Sequence, residues 1–202
     1  MSAPPPEPTP KIGLRERKKA RTRAIIQHEA LRLFRLKGYA ETTMGEVAGA
    51  AEVSPATLFR YFPSKEALVC TDDYDPLIIE ACRSQPLDLG PAQAIRRGLR
   101  SVFEAVSERD LADMRDRAEL GLSVPDLRAA MLDQLAQTIQ QLTAVVAERT
   151  GRQAGDFSVN TLAGAMLGVM IAAELYWVEH RGTDLFALVD KALAQLEEGL
   201  PL

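Results

Sequence analysis

The side chains able to do chemistry divide into a sparse catalytic set and a dense set suited to phosphate. His28 and His180 are the only histidines in 202 residues. Neither has metal-ligand spacing, and neither stands beside a Ser or Cys nucleophile motif. Carboxylates are scattered along polar faces, so no general acid-base pair can be singled out, and there is no Gly-rich phosphate loop. No cofactor and no metal are therefore expected, and the chain is read as not an enzyme. In contrast, Arg15, Arg17, Lys18, Lys19, Arg21 and Arg23 crowd one short stretch. Such a run suits either a polyanion or a solvated helix face.

The net charge of −4 conceals an asymmetry. Residues 1–66 carry 12 Lys and Arg against 7 Asp and Glu, net +5, which leaves −9 for residues 67–202. Only the first part is expected to approach a polyanion, because the second would be repelled by one. The aromatic content is 5%, alternating β-type patterns are not sustained, and Ala, Leu, Arg, Glu and Gln dominate, which predicts an all-α chain.

The basic cluster needs an element to carry it. From about Arg15 to Lys37, Ile25/Ile26, Glu29/Ala30 and Leu33/Phe34 recur every four residues and predict one amphipathic helix, stopped by Gly38. Thr43-Met44-Gly45-Glu46 has the spacing of a capping box and starts a short helix at about 43–50. Ser54-Pro55 reads as an N-cap followed by proline in the first turn, starting a second at about 55–61. Phe62-Pro63 ends it, and Ser64 can cap a further helix with Glu66 in its first turn. Two short helices packed on a longer basic one make a helix-turn-helix, whose second short helix enters the major groove of DNA.

Leu33-Phe34-Arg35-Leu36-Lys37-Gly38-Tyr39, Thr42-Thr43, Val47-Ala48 and Val53-Ser54-Pro55-Ala56-Thr57-Leu58-Phe59-Arg60-Tyr61-Phe62-Pro63-Ser64-Lys65-Glu66 resemble the TetR (tetracycline-repressor-like) family of bacterial regulators over about residues 15–68. The resemblance implies a DNA-binding surface of Thr43, Ser54, Pro55, Thr57, Arg60, Tyr61 and Lys65. Thr43, Lys65 and the Tyr61 hydroxyl would hold phosphates, Ser54 would cap the reading helix, and Thr57 and Arg60 would face base edges. Two departures stand out. Gly45 replaces a side chain that some members use on bases, and Phe59 replaces a common tyrosine and is expected to pack in the core.

Beyond residue 90, the segments 91–108, 110–122, 125–150, 156–181 and 184–199 show helical spacing, giving about nine helices in all. The organisation expected is a disordered Pro-rich arm over 1–14, a three-helix DNA-binding domain over 15–66, and a larger ligand-binding and dimerisation domain over 67–202. Leu162 to Ala173 is apolar nearly all round but falls short of the roughly 20 residues that cross a bilayer. Residues 1–10 lack an apolar signal core. No membrane association and a cytoplasmic location are therefore expected. Cys70 and Cys82, if on one helix, would stand about 18 Å apart, too far to bridge.

Gly164 and Gly168, with Leu185, Leu188 and Leu196, suggest a homodimer interface built as a four-helix bundle, although a close crossing within one chain would use the glycines equally well. Phe103, Met114, Leu120, Met131, Met166, Met170, Tyr176 and Trp177 are candidates for a deformable apolar effector pocket. Asp72-Asp73-Tyr74-Asp75-Pro76-Leu77 and Ser123-Val124-Pro125-Asp126-Leu127-Arg128 resemble a TetR subgroup described as binding acyl-CoA-like ligands. Arg115, Arg117 and Arg128 could meet an anionic head group or be neutralised by neighbouring aspartates. The family implies a repressor that binds a palindromic double-stranded DNA operator and is released by a small-molecule effector. An activator of the same fold, or a helical protein-interaction module, are the alternatives.

Overall fold

The computed structural model describes residues 14–71 and 74–200, with side chains from Lys18 onward. The Pro-rich arm with Lys11, the side chains of Arg15 and Arg17, and Asp72-Asp73 lie outside the described residues. The elements are α1 (Leu14–Lys37), α2 (Met44–Ala50), α3 (Pro55–Tyr61), α4 (Ala67–Cys70), α5 (Tyr74–Arg83), α6 (Pro91–Phe103), α7 (Glu108–Ser123), α8 (Pro125–Thr150), α9 (Phe157–Glu179) and α10 (Leu185–Glu197). The described residues contain no strand. Taking the single turn α4 and α5 as the one segment expected from Ser64 onward, the helices among the described residues number nine. The chain divides into two compact units, one ending at Leu68 and one starting at Val69.

In the first unit, Ile26, Ala30 and Phe34 of α1 are buried, as are Val47 and Ala48 of α2, Leu58 of α3, and Phe62. The capping box at Thr43 is complete, with Glu46 N–H donating to Thr43 Oγ1 at 3.2 Å and Thr43 N–H to Glu46 Oε2 at 2.9 Å. Lys37 pairs with the same carboxylate. The hydrogen bond from Lys37, followed by those from the Thr43 amide and hydroxyl, holds the Glu46 pKa down at about 2. The turn between α2 and α3 places Glu52 at φ 53°, a left-handed position that favours glycine.

In the second unit, α5 packs on α6, α8 on α9 and α5, and α10 on α9 and α6. Gly98 of α6 permits the first of these contacts: a Cβ there would stand 2.7 Å from Cys82 Sγ and 2.8 Å from Cys82 N. Burial pushes the Cys82 thiol up to about 12. Arg149 of α8 donates to the carbonyls of Cys82 and Gln85 at 3.2 and 3.3 Å, satisfying the end of α5 with a cation, as the helix dipole favours. Arg96 of α6 forks onto Asp190 of α10 at 2.9 and 3.0 Å and reaches Glu197 at 3.0 Å. That fork holds the Asp190 carboxyl below its usual range.

Three expectations are corrected here. The α7 helix starts at Glu108, two residues before the expected 110, with Ser107 as its cap and Asp110 the third residue of the capping box. The α6 helix ends at Phe103, five residues early. The apolar run at Leu162 sits inside the 23 residues of α9, which by length and composition alone would cross a bilayer. Its Ala163, Met166, Leu167, Ala173 and Trp177 instead lie in one core with residues of α5, α6, α8 and α10. Cys70 and Cys82 stand on different helices and form no disulfide with each other.

Candidate nucleic-acid interface and apolar cavity

On α3, successive side chains turn by about 100°. Pro55, Ala56, Phe59 and Arg60 are exposed, whereas Leu58 is buried and Thr57 and Tyr61 are half-buried. The exposed arc spans about 140° and lies opposite the anchored one. Ser54 Oγ accepts from Thr57 N at 3.1 Å and donates to Thr57 Oγ1 at 2.9 Å, so the Thr57 hydroxyl is drawn into the cap beside Leu58. Arg60 is open to solvent, with its guanidinium carbon 5.5 Å from the Tyr61 ring centre.

Lys65 donates to Ala40 O at 3.1 Å and its ammonium lies 4.4 Å from the centre of the Tyr39 ring. The carbonyl and the ring fix that charge at one place beside the reading helix. Ser64 Oγ accepts from Ala67 N, and a hydrogen bond from Ser64 is the main cause that lowers the Glu66 carboxyl. The Thr43 hydroxyl serves the capping box by donating to Glu46 at 3.0 Å. Arg23 turns away from the basic run. It donates to Tyr61 O at 3.2 Å and covers the Phe62 ring. Nothing in the sequence distinguishes this arginine from its neighbours. Phe59, expected in the core, is 50% exposed, because the anchored arc is already filled by Leu58.

The second unit holds a partly open cavity of about 230 Å³. Phe103, Met114, Met131 and Met170 line it as expected. Four other candidates do not. Met166 is fully buried in the core and Trp177 is packed with Arg115 at 4.1 Å. Tyr176 is 47% exposed and stacks on His180 with ring centres 3.8 Å apart. Leu120 is half-buried and off the lining. On α9 the lining runs through Leu167, Met170, Ile171 and Glu174, and Tyr176 lies about 200° around the helix from Glu174.

Leu185 also lines the cavity and is buried within the protomer, which corrects its expected place on a dimer face. Leu188 and Leu196 are half-buried against the core. A Cβ at Gly164 or Gly168 would meet nothing within 4 Å, so neither serves a close crossing within the chain.

The polar members of the lining, among them Asp75, Arg117, Gln134 and Glu174, were not anticipated as a set. Gln134 Nε2 donates to Asp75 Oδ2 at 3.1 Å across 59 residues of sequence, a pairing that helical spacing cannot reveal. Of the three arginines considered for a head group, Arg117 reaches the cavity, Arg115 covers Trp177 and Arg128 is exposed. A separate polar cleft of about 310 Å³ is lined by Gln93, Arg96, Arg97, Arg100 and Asp190. Among the described residues, no group of three or more His, Cys, Asp or Glu is placed to hold a metal.

Residues 26–70 match the family model described as bacterial regulatory proteins of the tetR family, and residues 89–201 match the MftR C-terminal domain. The chain belongs to the TetR family. Among its relatives, the HTH-type transcriptional regulator TcmR of Streptomyces glaucescens is 31% identical over 184 residues, covering 87% of this chain and 81% of its own. The transcriptional regulator MftR of Mycobacterium tuberculosis is 27% identical over 186 residues, 91% of this chain and 93% of its own. Among solved structures, Thermus thermophilus FadR, a TetR-family repressor in complex with lauroyl-CoA, superposes with a TM-score of 0.53 at 26% identity, covering 89% of this chain and 95% of its own. This TetR-family member is thus a transcriptional regulator, and these relatives are regulators rather than enzymes.

Proposed function

We propose that the protein is a cytoplasmic repressor that binds a palindromic operator as a homodimer and is released by a largely apolar, acyl-CoA-like effector. The methionine-lined cavity carries this reading, in a chain of which 89% aligns with the lauroyl-CoA-bound FadR chain. At about 230 Å³ it is smaller than the roughly 300 Å³ at which ligand sites begin. An acyl chain entering it displaces the flexible thioethers of Met114, Met131 and Met170.

Displacement of the wall has a route to the reading head. The carbonyl of Leu68 accepts from Gln27 of α1 at 3.0 Å, and the next two residues, Val69 and Cys70, line the cavity. A wall that moves therefore pulls on backbone anchored to α1. The coupling expected of such linkage is about 1–3 kcal/mol, roughly 5- to 150-fold in operator affinity. It requires that the effector bind the two forms unequally. On the DNA side, Arg60 is assigned to base edges, whereas Thr57, whose hydroxyl is drawn into the Ser54 cap, is not. Thr43, Tyr61 and Lys65 are assigned to phosphates, with Ser54 and Pro55 shaping the start of the helix.

The test is selection of duplexes from a random pool with the full chain, followed by titration of the enriched duplex with and without lauroyl-CoA. Enrichment of a palindrome and its release by lauroyl-CoA, but not by free CoA, support the reading. Failure to enrich any sequence overturns the operator, and a complex indifferent to lauroyl-CoA overturns that effector class.

A further inference from the structure

We infer that Phe59 is a specificity-determining residue of the reading helix, its exposed ring meeting the C5 methyl of a thymine beside the base pair read by Arg60. The inference rests on the operator reading above.

Phe59 is 50% exposed, while its neighbour Leu58 and the following Phe62 are completely buried. The ring is therefore not needed for the anchoring that those two side chains perform. It shares its arc with Pro55, Ala56 and Arg60, all exposed. Three apolar side chains and one guanidinium thus form the outward face of α3, in a unit whose residues 1–66 carry net +5. An apolar patch on a surface otherwise selected for phosphate has a defined counterpart in duplex DNA. Among the base edges of the major groove only thymine offers a methyl group, whereas guanine offers the acceptor pair that arginine forks onto.

A tyrosine at this position would carry a hydroxyl into the groove or to the backbone. Phenylalanine carries no hydrogen-bonding atom, so it discriminates only by the apolar surface it covers. Covering the methyl removes it and part of the ring from water. The gain is of the size of one buried carbon, roughly threefold to fivefold in affinity for each half-site. The chemistry predicts an operator half-site in which a thymine adjoins the arginine-read guanine, and a protein that distinguishes thymine from uracil there.

The experiment uses the full chain and the duplex it enriches from a random pool. Each thymine of a half-site is replaced in turn by deoxyuridine, symmetrically in both half-sites, and affinity is measured by fluorescence anisotropy at fixed salt. One position is expected to lose about tenfold to twentyfold when both methyls are removed. Phe59→Ala is expected to bind the thymine and uracil duplexes equally, with an affinity near that of the wild-type chain on uracil. If every uracil duplex binds the wild-type chain as tightly as its parent, the inference is overturned while the operator reading stands. If no sequence is enriched, both fall. A null uracil series on the wild-type chain overturns the inference even where Phe59→Ala is poorly folded.

Discussion

The guanidinium carbon of Arg23 lies 4.5 Å from the centre of the Phe62 ring, and its Nη1 donates to the carbonyl of Tyr61 at 3.2 Å. One residue of α1 thus clamps the end of the reading helix by its charge and covers the buried aromatic that follows it. An arginine of the basic run is in this way spent on structure rather than on phosphate.

Arg23→Ala is accordingly expected to destabilise the first unit by about 1–3 kcal/mol, from the lost cation-π contact and the charged hydrogen bond together. Arg23→Lys recovers part of it. Urea unfolding followed by circular dichroism checks this, and an unchanged midpoint for Arg23→Ala contradicts the clamp.

Arg60 has the opposite character, being exposed and, among the described residues, in no ion pair. Arg60→Ala should cost about 1–3 kcal/mol on the operator while leaving random duplex nearly untouched. Equal losses on both duplexes would place Arg60 on the phosphate backbone, and the slope of affinity against salt would then fall by about one.

Glu46 makes the α2 cap sensitive to acid. Its folded pKa of about 2 is below the ordinary value of 4.5. Its contribution is therefore complete above about pH 4.5 and lost as the pH falls from there toward 2. Glu46→Gln keeps an acceptor for the Thr43 amide but does not titrate, so the difference in stability between wild type and variant should shrink across that window. A difference that stays constant from pH 6 to 2 contradicts the assignment.

Gly98 and Gly168 should respond oppositely to alanine. A methyl at 98 meets the Cys82 backbone nitrogen at 2.8 Å, which cannot yield without parting α5 from α6. Overpacking of about 1–3 kcal/mol is expected to outweigh the helical preference for alanine. At 168 the space is open, so alanine should stabilise by about 0.5–1 kcal/mol. Thermal unfolding of the two variants measures the contrast, and a stabilising Gly98→Ala would refute the close α5–α6 contact.

Gly168→Leu tests the partner face. If α9 meets a second copy there, the bulky side chain should lower the dimer fraction in sedimentation velocity by about tenfold or more at micromolar concentration. An unaltered sedimentation coefficient moves the interface to another face.

The short helices of the first unit were legible because their caps are local. Thr43 with Glu46, and Ser54 with Pro55, state their boundaries within four residues. Ser107 with Asp110 is an equally local signal, and it places the α7 start at Glu108. The cavity was half legible. Composition shows that α9 is apolar nearly all round, but not where a neighbouring helix fills the space, as at Met166, or leaves it open, as at Met170. Arg23 and Phe59 were illegible for a related reason. Residue type indicates charge or apolarity, whereas their roles depend on which side of a neighbouring helix they meet.

Gly121 of α7 stands behind the cavity wall and is not part of the lining. A Cβ there would lie 2.4 Å from Met131 Sδ, the thioether that does line it. The bore of the chamber is thus set partly by a methyl group missing from its outer casing. One added carbon at that glycine would force the sulfur to shift and reshape the space offered to guests, with every atom that touches them chemically unchanged.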